Sequence, residues 1–475
     1  MRGRYAEAVV TKKRVSSRDF INAYDREESS GQLANGTAKD AGNPHWRHSL
    51  VHVLAATVSS FLFGYHLGVV NETLESISFD LGFSGNTMAE GGAFVGSIFS
   101  GWIADGVGRR RAFQLCALPM IIGASMSATT KDLWGMLLGR LFVGTGMGIG
   151  PPVAALYVTE VSPDYVRGTY GSLTQISTCL GLLGSLFIGL PAKETMGWWR
   201  VCFWVSAIPA AMLVLFMQFC AESPHWLLKR GRSVEAEAQF EKLLGGSHVK
   251  SAIVELSKSD RGDEVDKVKL SELLYGRYFK VVFIGSALFA LQQLSGINAV
   301  FYFSSAVFKS AGVPSDSANI CVGICNLLGS IVAMLLMDKL GRKVLLTGSF
   351  FGMAVSMSLQ AIAATSFVSS SASLYLSVGG MLLFVLTFSL GAGPVPSLLL
   401  SEIFPSRIRA KAMAICMAVH WTKGYQVECS YAFASILPCS GLELDFGVGQ
   451  TMDCVSNLFC ALKQKGKCEN SSSVT

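Results

Sequence analysis

Amide and imidazole side chains stand where the chain is otherwise apolar. Residues 63–71 read FGYHLGVVN, which puts His66 in a mostly apolar run from about Leu50 to Val70. Residues 292–303 read QQLSGINAVFYF, which puts Gln292, Gln293 and Asn298 in a second such run. An imidazole can exchange a proton near neutral pH, and an ionisable group at membrane depth is by default a functional candidate. Amides both donate and accept, which suits a ligand rich in hydroxyl groups; a buried amide without partners costs ~1–3 kcal/mol. No nucleophile with an adjacent base and no metal-ligand constellation accompanies these residues, so the chain reads as neither an enzyme nor a cofactor or metal protein.

Charged motifs come in pairs. GWIADGVGRRR (101–111) is echoed by MLLMDKLGRK (334–343), and TEVSPDYVRG (159–168) by SEIFPSRIRA (401–410). The echoes align Asp105 with Asp338, Arg109 with Arg342, Glu160 with Glu402 and Arg167 with Arg409, at offsets of 233 and 242 residues. Asp105 and Arg109, four apart at a helix end, can pair; Glu160 and Arg167, seven apart, share a face if their helix continues. Such clusters at one end of both halves can lock the halves together in one state and separate in another. Asp105, Arg109, Arg140, Glu160, Arg167, Asp338, Arg342, Glu402 and Arg409 compose this expected latch, with Glu222 of AESPHWL (221–227) counted beside them. The alternative is that these charges only fix topology and end helices.

The elements that must position these groups are membrane helices. The 475 residues are 51% apolar and 15% charged, with mean hydropathy +0.43, far below the roughly 25% charge of a soluble domain. Runs of the ~20 residues that a spanning helix needs lie near 50–70, 112–129, 133–156, 169–190, 199–220, 280–308, 318–337, 344–366 and 373–400. Two more, 91–104 and 411–421, are apolar but short. The net charge of +6 is modest but ordered: residues 109–111, Arg167, the 225–280 segment, Arg342/Lys343 and Arg407/Arg409/Lys411 fall in alternate loops. By the positive-inside rule these loops and the N-terminus are cytoplasmic. The parity holds only if 91–104 also spans. The bilayer is therefore a partner, and nucleic acid is not.

A long-period repeat of this kind marks two parallel copies of one bundle, with a substrate site between them near midplane. The expected organisation is a polar, unstructured N-terminus (1–47), an N-terminal bundle (48–221), a linker with short helices (222–279), an incomplete C-terminal bundle (280–421) and a divergent tail (422–475). The fold class is all-α membrane protein, two six-helix pseudo-repeats with about 10–11 transmembrane helices present.

The paired D-x-x-G-R-[RK] and E-x-x-P-x-x-x-R loops, AESPHWL and QQLSGINAVFYF together resemble the sugar porters of the major facilitator superfamily, nearest to the plant group of plastidic glucose transporters, over residues 48–421. The resemblance implies the major facilitator fold and alternating access for a hexose, glucose first. It implies that Gln175, Gln292, Gln293, Asn298, Asn326 and Trp421 contact the sugar, with helix–helix hydrogen bonding as the other reading of each. Proton-coupled relatives carry an aspartate at the position of His66, and facilitative ones a neutral residue. The expectation is facilitated diffusion with His66 neutral and hydrogen-bonded between helices; a proton-linked His66, with protons as a second partner, is the sharper alternative. GAGPVPSLLLSE (391–402) suits a bending helix, but Ser397 stands where the family often has tryptophan. The glycines of GTGMGIGPP (144–152) are read as helix packing, not as a nucleotide loop.

Two regions depart from the family. The passage from MAE to GGAFVG before Asp105 looks like a shortened second helix, and beyond Trp421 no 20-residue apolar run remains. Five of 12 cysteines fall there (429, 439, 454, 460, 468), at spacings that do not suit zinc. A transport-inactive isoform with a regulatory or sugar-responsive binding role is thus the second functional reading. The plastid envelope is the expected address, supported weakly by the basic, serine-containing opening MRGRYAEAVVTKKRVSSRDF; an endomembrane (Golgi) or plasma-membrane address is the alternative.

Overall fold

The computed structural model describes residues 44–81, 89–190, 197–260, 270–297, 300, 315–363, 370–405 and 407–436. The N-terminal half comprises α1 (Arg47–Leu81), α2 (Ala89–Val107), α3 (Arg109–Thr129), α4 (Leu133–Val161), α5 (Arg167–Gly189) and α6 (Trp198–Phe219). Short helices follow: α7 (Pro224–Lys229), α8 (Ser233–Leu244), α9 (Val249–Asp260) and α10 (Leu270–Leu274). The C-terminal half comprises α11 (Phe279–Leu294), α12 (Ser315–Leu340), α13 (Arg342–Ala363), α14 (Ser370–Leu390), α15 (Val395–Ile403) and α16 (Arg409–Ile436).

Apolar runs in a bilayer have one economical solution for their backbone groups, the helix. Seven helices among the described residues are long and apolar enough to cross a membrane. Segment 91–104 is the core of α2, 19 residues from Ala89, about 28 Å of helix and close to the hydrocarbon thickness. The run at 280–308 does not continue unbroken: α11 stops at Leu294, two residues before Gly296 turns to φ +82°. The run at 373–400 is also divided, at Leu390, with α15 starting at Val395. At the other end α16 continues past residue 421 to Ile436. Residues 1–43 and 437–475, with four of the tail cysteines, lie outside the described residues.

Glycines set the tightest approaches. A Cβ on Gly64 would lie 1.9 Å from the Thr178 carbonyl oxygen, bringing α1 against α5, and one on Gly148 2.0 Å from that of Ala93, bringing α4 against α2. GTGMGIGPP is thus a packing surface inside α4, as expected. The halves meet along two antiparallel pairs, α2 with α16 and α5 with α12. The amphipathic α8 buries Ala236 and Phe240 against Trp226 and Leu227 of α7 and Val249 and Ile253 of α9, making a small cap on the basic-loop side.

Candidate substrate site and gate between the halves

The repeated motifs build the same structure twice. Gly108 and Gly341 each take a positive φ, +98° and +78°, a conformation that favours glycine; each turn returns an arginine toward the aspartate four residues before it. Arg109 Nη1 lies 3.2 Å from Asp105 Oδ1, and Arg342 Nη1 3.1 Å from Asp338 Oδ1. Both arginines then reach the glutamate of the next motif: Arg109 Nε and Nη2 donate to Glu160 at 2.7 and 2.8 Å, and Arg342 Nη2 donates to Glu402 at 3.0 Å. The pairs differ in burial. Side chains of Arg109 and Glu160 are each 3% exposed, those of Arg342 and Glu402 each 23%.

AESPHWL fastens the linker to the N-terminal cluster. Glu222 accepts from the backbone N–H of Arg109 at 2.9 Å and of Arg110 at 3.3 Å, satisfying the start of α3. Burial raises its carboxyl above the usual carboxylate range, while the N–H groups of Ser223, Arg110 and Arg109 oppose that rise. Ser223 caps α7 through the Trp226 N–H at 3.2 Å, and Trp226 Nε1 donates to the Asp105 carbonyl at 2.9 Å.

The halves touch directly beside these clusters. Thr169 donates through N and Oγ1 to Asp338 Oδ2 at 3.1 and 2.9 Å. Thr159 and Ser401, which occupy corresponding places in the two repeats, share a hydrogen bond of 2.7 Å, so the pseudo-symmetry axis passes between them. The Arg109 and Arg342 ion pairs run within their own halves, and Arg167 pairs with Asp164 in its own loop. Arg167, Arg409, Glu160, Glu402 and His225 instead face a common cavity of about 470 Å³ on the basic-loop side.

Near midplane, a cavity of about 110 Å³ lies between the halves, lined from the N-terminal half by Ser60, Phe63, Thr174, Gln175 and Thr178 and from the C-terminal half by Ser397, Met417, His420 and Trp421. Phe63 of α1 meets the Trp421 ring edge-to-face at 5.7 Å. Behind this wall Gln293 Nε2 bonds the His420 ring, at 3.1 Å to Nδ1. Gln292 Nε2 donates to the Ala392 carbonyl at 2.7 Å, in the broken stretch between α14 and α15. Gln292 Oε1, Gln293 Oε1 and Trp421 Nε1 are buried with no hydrogen-bond partner among the described residues. Of these three residues Trp421 lines the cavity, and Gln292 and Gln293 lie behind its lining.

Residues 52–438 match the family described as sugar (and other) transporter. This chain belongs to that family. It is 70% identical over 435 residues to "Probable plastidic glucose transporter 3" of Arabidopsis thaliana, covering 90% of this chain and 87% of the relative. It is 46% identical over 387 residues to "Plastidic glucose transporter 4" of the same plant, covering 80% and 71%. Among solved structures, the proton:xylose symporter XylE bound to 6-bromo-6-deoxy-D-glucose superposes with a TM-score of 0.79 at 26% identity, covering 87% of this chain and 95% of that one. The inward-open structure of XylE from E. coli scores 0.66 at 25% identity, covering 86% and 95%. The chain is a multi-pass membrane transporter of the major facilitator fold, not an enzyme.

Two of the expected sugar residues, Gln175 and Trp421, line the transporter's midplane cavity. Gln292 and Gln293 stand behind its lining, and Asn326 is buried farther off, its Oδ1 accepting from Ser389 Oγ at 2.5 Å. Asn298 lies outside the described residues. Arg140 stands apart from the latch, some twenty residues before Glu160 on α4, about 30 Å along the helix; its Nη2 donates to the His66 carbonyl at 3.4 Å. His66 differs from expectation: it is 1% exposed, yet neither ring nitrogen has a hydrogen-bond partner among the described residues. The ring meets its neighbour Tyr65 edge-on at 6.0 Å, and the hydrogen bond that joins His66 to α4 runs through its backbone carbonyl rather than its ring. His420 and His225 were not singled out by the sequence. His420 sits beside Trp421 on an apolar helix with no motif to mark it, and His225 lies inside AESPHWL, where the charged Glu222 is the more conspicuous residue.

Proposed function

We propose that the protein carries a hexose, glucose first, across a plastid envelope by alternating access and without proton coupling. The observation that carries the reading is the cavity between the halves, walled by Gln175 and Trp421 and backed by the open acceptors of Gln292 and Gln293. A sugar seated there would touch both halves, so its binding energy can depend on how they are disposed, as a carrier requires. The repeated clusters on the basic-loop side supply a contact that can form and break with that disposition. The uniport reading is supported by His66, which is 1% exposed, has neither ring nitrogen hydrogen-bonded to a described residue and has the Arg140 guanidinium on its own carbonyl, a cation that disfavours a second positive charge beside it. The similarity to plant relatives named as plastidic glucose transporters supports both glucose and the plastid.

The reading is tested by titrating purified protein with D-glucose and L-glucose. Saturable heat with D-glucose only, weakened about tenfold by Gln175→Ala, is expected. Equal responses to both sugars, or a D-glucose response unchanged in the variant, would overturn it.

A further inference from the structure

The basic-loop side of the transporter has its repeated charge clusters; the acidic-loop side has no corresponding motif. Helix α1 runs 35 residues from Arg47 to Leu81, well beyond the ~20 needed to span, so its last turns project past the membrane on the acidic-loop side. They are fastened to α6 of the same half: Tyr65 Oη donates to the Cys202 carbonyl at 2.8 Å, Trp198 Nε1 to Ser76 Oγ at 2.9 Å and Trp199 Nε1 to Asp80 Oδ2 at 2.7 Å. Glu72 sits between these fastenings and therefore moves with the N-terminal half.

Opposite it is Asn319, 6% exposed, in the first turns of α12 in the C-terminal half. Asn319 Nδ2 donates to Glu72 Oε1 at 2.8 Å. An ionised carboxylate can only accept, so the donor–acceptor sense is fixed by chemistry. Below this bond the same interface is apolar and tight. Leu182, Leu183 and Leu186 of α5 pack with Leu327 of α12, and a Cβ on Gly323 would fall 2.4 Å from a Leu183 methyl.

We propose that the Glu72–Asn319 hydrogen bond is the latch of the acidic-loop gate, closing over the leucine seal when the transporter opens to the other side and breaking once per cycle. The cycle rests on the carrier reading above; the latch itself is testable without sugar. Both residues are positioning residues, acting on the gate and not on the sugar.

The test places spin labels at Phe79→Cys and at the native Cys321, both exposed, with the other cysteines replaced in a protein of unchanged melting temperature. The distance distribution is read in nanodiscs without substrate. Asn319→Asp sets two carboxylates at hydrogen-bond distance and is expected to raise the ratio of long to short distances about tenfold or more, the scale of a hydrogen bond to a charged group. Glu72→Gln combined with Asn319→Asp exchanges donor and acceptor and is expected to restore the original distribution. Asn319→Ala, which only deletes the donor, serves in its place if Asn319→Asp fails to fold, with the same shift expected. An unchanged distribution in the single variant, or no restoration in the double, overturns the latch. Loss of glucose counterflow in the unmodified protein would overturn the carrier reading and leave these distances unaffected.

Discussion

Arg109 and Arg342 have equivalent partners at equivalent spacing, but the Arg109–Glu160 pair is more buried and is joined by two hydrogen bonds where Arg342–Glu402 has one. Removing one partner of a buried pair costs about 3–5 kcal/mol, whereas a partly exposed pair is worth roughly 1 kcal/mol or less. Glu160→Gln is therefore expected to lower the melting temperature in detergent several-fold more than Glu402→Gln; equal losses would mean that the two clusters are not distinguished by burial. His225 gives a pH dependence outside the membrane-spanning segments. Burial lowers its imidazole from 6.5 to about 4, with Glu160 opposing and Arg409, Arg167 and Arg109 adding to the effect. Between pH 6.5 and 4 the unfolded chain takes up a proton that the folded site refuses, so this contribution is complete above about 6.5 and is lost as pH falls toward 4. Melting temperatures at pH 7.5 and 5 should converge in His225→Gln relative to the unmodified protein; an unchanged difference would count against the assignment.

At the scale of elements, the two D-x-x-G-R turns offer a matched pair. A side chain at either glycine must adopt a positive φ, costing about 1–2 kcal/mol, but at Gly108 the added Cβ also lies 2.5 Å from Glu222 Oε2, while at Gly341 it meets open space. Gly108→Ala should destabilise the protein more than Gly341→Ala, with the excess removed in a Glu222→Ala background. The broken α14–α15 stretch gives another contrast. Gln292 Nε2 bridges to the carbonyls of Ala392 and Gly393 at 2.7 and 3.4 Å, so Gln292→Ala should lower the melting temperature as well as weaken glucose binding. Gln175→Ala, whose amide lines the cavity, should weaken binding with little change in melting.

Across the whole molecule, the chain order of helices, the twofold repeat and the basic-side clusters were legible because they depend on local patterns: apolar length, loop charge and motif spacing. Asp105 with Arg109 could be paired by counting four residues. Arg140 could not be separated from the latch in that way, since its place depends on how far along α4 it lies relative to the membrane. The midplane site was half legible. Gln175 and Trp421 line the cavity, while Gln292 and Gln293 brace it from behind, and adjacent residues on a helix cannot all face one space. His420 and the Glu72–Asn319 contact join residues distant in sequence with no motif to announce them, so only the assembled halves bring them together.

On the proposed function, this assembly moves glucose without an ion gradient. Proteoliposomes holding the 475-residue chain, preloaded with unlabelled D-glucose and diluted into labelled D-glucose at equal pH on both sides, provide the most direct measurement. A transient accumulation of label that protonophore leaves unchanged and Gln175→Ala reduces is the predicted result. No accumulation by correctly inserted protein, or accumulation only under an imposed pH gradient, would contradict it.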